Sequence, residues 1–169
     1  MNIFHVSLFK ESSVKPVLFF RNEFNLTWVL GNGTIVHMSI VADTNIFLAT
    51  ALNEPEKNAI ISATGGHDLI APEILPFEAG NALSAMVKRK RLSREDALLA
   101  FEEILKVPVE LKRIDIGKAL AMATKTGIYA YDAYFLQCAD AFHAPLLTLD
   151  GAMKKIAGEL GIKLLEVES

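Results

Sequence analysis

Ile40-Val41-Ala42-Asp43-Thr44-Asn45 is the stretch whose reading decides the fold. A short apolar run ends abruptly in a carboxylate, and a small polar tripeptide opens the next segment. Continuous apolar character marks a strand buried on both faces, as in parallel sheets covered by helices. In an open α/β sheet, the carboxyl ends of the strands are where ligands bind, and Asp43 stands at such an end. The expectation is that the chain brings three further acids to that edge to hold a divalent metal.

Outward from this stretch the pattern is regular. Strand one covers residues 39–42. A helix comes next and is interrupted near Asn53-Glu54-Pro55; Pro55 suits the first turn of a second helix, which Gly65-Gly66 closes. Leu69-Ile70-Ala71 reads as the second strand. A long helix then runs from Pro72 to Lys88, kinked or restarted at Pro76, with Leu75, Ala79, Ala82, Leu83 and Met86 at helical spacing. Ser93 caps a helix to residue 105, and residues 107–111 form the third strand. Asp115 caps a helix that Gly127 ends. Asp132 opens another to residue 142, residues 146–149 form the fourth strand, and Asp150 caps a helix to residue 160. Residues 162–167 are the last strand. Strands alternating with helices give an α/β fold, a mostly parallel central sheet of about five strands with helices on both faces. Residues 38–169 read as one domain.

Residues 1–37 show no sustained period, although Trp28-Val29-Leu30, Gly31-Asn32-Gly33 and Thr34-Ile35-Val36 would make a hairpin. Two accounts of them compete. In one, translation begins at Met38, immediately before the organising strand, and 1–37 is upstream sequence. In the other, a real extension adds strands at the edge of the sheet. The position of Met38 favours the first.

Composition narrows the function classes. Half of the 169 residues are hydrophobic and no apolar run reaches membrane-spanning length, which suits a globular chain away from membranes. Lys10 and Glu11 cut short any secretory-type apolar start. The single cysteine, Cys138, excludes an intramolecular disulfide, and the expected compartment is the cytoplasm. A net charge of −3 argues against a generic basic nucleic-acid coat protein, but not against a nuclease with an acidic metal site. The basic island Lys88-Arg89-Lys90-Arg91, with Arg94, is the obvious footprint for RNA phosphates or an acidic part of a partner. A solvated helix end, favoured by the helix dipole, explains it as well.

Asp43, Asp132 and Asp150 fall at equivalent places on one edge of the sheet. Glu78 lies within the helix after strand two and borders its apolar stripe, so if buried it needs a cation, a donor or water. Taken singly, Asp132 and Asp150 read as helix caps, and Glu78 as a solvated residue. Cys138, among Tyr134, Phe135 and Phe142, reads as core. Asp68 lies on the opposite edge of the sheet, and Asp140 on a solvated helix face. Tyr129, Tyr131 and Tyr134 are assigned to packing at a helix start rather than to stacking on RNA bases.

Val41-Ala42-Asp43-Thr44-Asn45 resembles the opening motif of the PIN-domain ribonucleases, in particular the VapC toxins of bacterial and archaeal toxin–antitoxin pairs. Pro76-Phe77-Glu78-Ala79-Gly80-Asn81-Ala82-Leu83 is similar to the second motif, Tyr131-Asp132-Ala133-Tyr134 to the third, and Leu147-Thr148-Leu149-Asp150 to the fourth. The resemblance covers residues 38–169, with an acid at each of the four positions, and leaves 1–37 unmatched. It implies a PIN-like three-layer sandwich and a metal-dependent endoribonuclease that arrests translation by cutting tRNA, rRNA or mRNA. It also implies a homodimer and a small cognate antitoxin covering the acids.

Asp43 and Asp132 are then the primary metal ligands, with Glu78 and Asp150 completing the cage directly or through water. All-oxygen ligands favour Mg²⁺ or Mn²⁺, and the scattered histidines 5, 37, 67 and 143 give no zinc spacing. Asn45 and Thr148 are candidates to hold a carboxylate or a phosphate oxygen, with local turn bonding as the competing account. Two other function classes stay open: a non-catalytic PIN-like module that binds RNA or a partner, and another Mg²⁺-dependent phosphotransfer enzyme on a doubly wound sheet.

Overall fold

Short runs of branched apolar residues pair in parallel, and helices cover both sides of them. The computed structural model describes residues 18–22, 25–29, 35–36 and 38–167. Its central sheet holds β4 (Ser39–Ala42), β5 (Asp68–Pro72), β6 (Val109–Lys112) and β7 (Leu146–Leu147) in the order β6-β5-β4-β7, parallel throughout. Earlier in the chain, β1 (Leu18–Asn22), β2 (Asn25–Val29) and β3 (Ile35–Val36) form an antiparallel sheet. The strands of the expected hairpin pair, with Trp28 opposite Val36; its turn, residues 30–34, lies outside the described residues. Among the described residues these three strands pair with one another and do not extend the central sheet.

Among the described residues, seven helices accompany the central sheet: α1 (Thr44–Ala51), α2 (Lys57–Thr64), α3 (Leu75–Lys88), α4 (Arg94–Lys106), α5 (Ile116–Thr126), α6 (Ala130–Phe142) and α7 (Gly151–Glu159). Successive strand residues point to opposite faces, and Ile40, Val41 and Ala42 are all fully buried, so β4 is covered on both sides. One cover is α6, which packs against β4, β5 and β7, with α5 behind it; α1, α3 and α4 pack together as a separate group. The core joins Phe47 of α1 and Phe135 and Leu136 of α6 to Ile40, Ile70, Leu146 and Leu147 of the sheet.

The strand order sets the position of the site. The chain runs outward from β4 to β5 to β6, then returns to place β7 on the free side of β4. The order therefore reverses between β4 and β7, and the crevice beyond their carboxyl ends is the ligand position of doubly wound sheets.

Three expectations need correction. The sheet has four strands among the described residues, not about five: residues 162–167 make a single parallel bridge, Leu146 to Leu164, with Leu146 N–H donating to the Lys163 carbonyl. β7 itself stops after Leu147: beyond it Leu149 N–H donates to Asn45 and Asp150 N–H to Thr148 instead of to a ladder. Residues 72–88 are not one kinked helix. Pro72 ends β5, Glu73 N–H still bonds across to Lys112, and Pro76 sits in the first turn of α3, where its missing N–H costs nothing. The third strand starts at Val109 and not at Val107, because α4 runs on to Lys106 and Pro108 has no N–H to donate.

Two phenylalanines test where the core ends. Phe47 is 1% exposed and Phe77 73%. Phe47→Ala should cost about 3–5 kcal/mol by chemical denaturation, whereas Phe77→Ala should stay within about 0.5 kcal/mol.

Candidate functional site

At the end of β4 the chain turns at Asp43 into α1, and the Asp43 side chain accepts from the Thr44 amide at 2.6 Å, capping the helix. Its carboxylate is almost completely buried, at 4% exposure. Two side chains hold the other oxygen: Thr148 Oγ1 donates to Asp43 Oδ2 at 2.7 Å, and Asn45 Nδ2 donates to it as well. Asn45 also stitches the two strand ends together, since its Nδ2 reaches Thr148 Oγ1 at 3.1 Å and its Oδ1 accepts from Leu149 N–H at 3.1 Å. Asp43 N–H donates to the Leu147 carbonyl at 3.0 Å, which fixes β4 against β7 at this point.

The other three acids begin helices on the same side. Glu78 stands in the first turn of α3, and Thr44 Oγ1 donates to its Oε2 at 2.6 Å. Asp132 stands in the first turn of α6 and is half-buried. Asp150 caps α7 by accepting from Met153 N–H at 2.8 Å and is exposed. Helix starts favour a carboxylate through the dipole, so the fold supplies some compensation for gathering negative charge.

That compensation is incomplete. Burial, with the charges of Glu78 and Asp132 nearby, pushes the Asp43 carboxyl up to about 7 against the lowering effect of the Thr148 and Thr44 bonds. Glu78 is raised by burial and by Asp132, and Asp132 by burial and by Asp150. The four acids therefore sense one another in a chain: Asp43, Glu78, Asp132, Asp150. Among the described residues none of the four has a salt-bridge partner. A buried, mutually repelling, all-oxygen set with no counter-cation has the donor chemistry of a hard divalent ion.

As the side chains lie, no three of the described acids, histidines or cysteines converge on one point. Asp43 accepts three hydrogen bonds, which leaves about one of its four lone-pair positions for a ligand role.

Thr44 is the residue that sequence reasoning passed over. It was visible inside the opening motif, but only the fold shows its hydroxyl reaching the acid of α3. The packing account of the tyrosines holds for Tyr134, which lies against Ala119, Ala123 and Ala133, and for Tyr131, half-exposed but packed edge-on against the Tyr134 ring at 5.8 Å; it fails for Tyr129, exposed at 83%. Cys138 is core, its thiol pushed up to about 12 by burial. Asp68 begins β5 on the opposite edge and Asp140 is exposed. Lys88, Arg89, Lys90 and Arg91 end α3, about 15 Å along the helix from Glu78, so they are not part of the acid group.

No curated protein sequence matches this chain. Among solved structures, PAE2754 from Pyrobaculum aerophilum is similar with a TM-score of 0.56 and 19% identity, covering 70% of this chain and 79% of its own. VapBC2 from Rickettsia felis, bound to a DNA fragment from its promoter, is similar with a TM-score of 0.52 and 19% identity, covering 76% and 98%. At such identity the likeness concerns the fold. The sequence itself matches the PIN domain family model over residues 40–159, which spans all four acids and the crevice between β4 and β7. This match covers most of the chain, which therefore belongs to the PIN domain family.

Proposed function

We propose that the chain is a divalent-metal-dependent endoribonuclease and acts as the toxin of a type II toxin–antitoxin pair. The observation that carries the catalytic part is the Asp43 carboxylate: buried, held by three donors, and surrounded by acids with no cation among the described residues. PIN family membership supports a nuclease. The Rickettsia felis assembly, a two-component VapBC named with its promoter DNA, supports a second, small chain as antitoxin. A homodimer, and translation arrest through cleavage of tRNA, rRNA or mRNA, belong to the same reading. Among the described residues no helix is long and apolar enough to cross a membrane.

Asp43 and Asp132 would hold the ion, Mg²⁺ or Mn²⁺, with Glu78 and Asp150 reaching it directly or through its water. Bound there, the ion supplies a more acidic water for attack and neutralises charge growing on the phosphate. The chain's own residues do the positioning. Thr148, Asn45 and the Thr44 amide fix the Asp43 carboxylate against rotation. Thr44 holds Glu78 in the same way and so ties the start of α1 to the start of α3. Asn45, bonded to both Asp43 and Leu149 N–H, keeps the β7 end at a fixed distance from the β4 end.

Asp43→Asn should abolish RNA cleavage while leaving the circular dichroism spectrum and cooperative melting intact, and EDTA should do the same to the wild type. Cleavage retained by the variant would sink the assignment. Thr148→Val removes the donor to Oδ2 and should weaken Mg²⁺ binding by about 10–100-fold in calorimetry.

The pH dependence comes from the sign of the shift. Asp43 is protonated up to about pH 7 in the folded state but ionises near its ordinary value of 3.8 when unfolded. The folded chain thus binds more protons between those values, and stability falls as pH rises through that window. Glu78 and Asp132, also raised, add in the same direction. The metal-free protein should melt at a lower temperature at about pH 7.5 than at about pH 5, Mg²⁺ should restore much of the difference, and Asp43→Asn should flatten the profile.

A further inference from the structure

The corner between α3 and α4 carries Lys88, Arg89, Lys90, Arg91 and Arg94, all exposed. Against a chain of net charge −3, this places five cations within seven residues that hold no acid. Lys106, Lys112, Arg113, Lys154 and Lys155 each have a carboxylate partner, whereas among the described residues none of the five corner cations does. The nearest acids in sequence, Glu95 and Asp96, belong to the first turn of α4, and Asp96 is engaged by Ser93 Oγ at 2.7 Å. An open depression of about 500 Å³ is lined by Lys90, Arg91, Arg94, Ser93 and the Asp96 that Ser93 engages, with only Val87 and Leu92 as apolar lining.

The position of this corner is set by one helix. Arg89 comes eleven residues after Glu78, which is three turns, about 16 Å, and within about 20° of the same line on the helix surface. Arg89 N–H still donates to the Ala85 carbonyl at 3.1 Å, so the helical geometry holds to that point. Between the two ends the line passes over Ala82 and Ala85, short side chains that are only half-buried. The acid group and the cation corner thus lie at the two ends of one line along α3, about three turns apart.

We infer that the α3–α4 corner binds the phosphate backbone of the RNA substrate away from the cut, so that the strand lies along α3 with its scissile phosphate at the acids. This rests on the nuclease reading and adds to it where affinity comes from. Flexible, unpaired cations around a polar depression suit phosphates, which need charge and no apolar seat. A protein partner would ask for an apolar centre with few charges, and the corner has the opposite composition. The division of labour is also electrostatic: the acids repel the strand until a metal is bound, so attraction has to come from elsewhere on the surface.

The test is RNA binding with metal chelated, where cleavage plays no part. The variant Lys88→Gln/Arg89→Gln/Lys90→Asn/Arg91→Gln uses Asn at position 90 because Lys90 has φ +57, which Asn accepts. For single-stranded RNA, loss of three or four phosphate contacts should flatten the slope of log affinity against log salt by about 2–3. Lys118→Gln/Lys125→Gln on α5 should leave the slope as in the wild type. With Mg²⁺ present, the corner variant should show a KM for long RNA raised at least tenfold at little change in kcat. Its cleavage of a dinucleotide, too short to reach the corner, should be unchanged. An unchanged salt slope overturns the inference, as does equal competition by polyglutamate and RNA of matched charge, which would mark an acidic protein site. Failure of the nuclease reading shows separately, as cleavage that survives Asp43→Asn.

Discussion

A carboxylate enclosed at the end of the most buried strand must be held by something, and the way Asp43 is held organises the rest of the molecule. Its three donors come from the residue after it, the residue after that, and Thr148 at the far end of the chain. Two of the donors are side chains, and the hydroxyl of Thr148 could not reach if β7 were not parallel to β4 and adjacent to it. The reversal of strand order between β4 and β7 therefore does two things at once. It opens the crevice, and it brings in the hydroxyl that fixes the acid inside it.

The balance of forces there is lopsided. Hydrogen bonds and helix starts favour ionised acids, yet burial and mutual repulsion outweigh them, since Asp43, Glu78 and Asp132 are all raised. A fold built only for stability would have no reason to keep such a group; an apolar set of the same volume would relieve the repulsion. Under the proposed metal-dependent activity, this is a place where stability is given up for the ability to bind a cation. Elsewhere the chain has ordinary surface pairs such as Lys106 with Glu103 and Lys154 with Glu166, which contribute little either way.

Much of this was legible in sequence because the signals are local. β4 reads from its apolar run, α4 from Ser93, α5 from Asp115 and Gly127, and Asp43, Asp132 and Asp150 from their places at strand and helix ends, whereas Glu78 joins them through the resemblance of its motif. The features that were not legible depend on long-range pairing. β7 ends early, where Leu149 and Asp150 give their amides to side chains of the site, which no window of sequence displays. Pro76 could equally kink a helix or start one, and only the pairing of Glu73 with Lys112 beyond the end of β5 decides for the start. Thr44 gives no signal as a ligand holder, because its partner Glu78 is 34 positions away. The exposure of Tyr129 and Tyr131 is likewise a matter of what packs nearby, not of their own chemistry.

The bond from Thr148 to Asp43 spans 105 positions. Chains emerge from the ribosome with the N-terminal part first, and contacts of long sequence separation close last. A nascent molecule therefore carries Asp43 and Glu78 through a long stretch of synthesis without the hydroxyl that orients the first of them or the acid at 150. The crevice is completed only once Thr148 and Asp150 have left the exit tunnel. Under the proposed activity against translation, the ribosome making a copy is spared while the residues up to Thr148 are being joined.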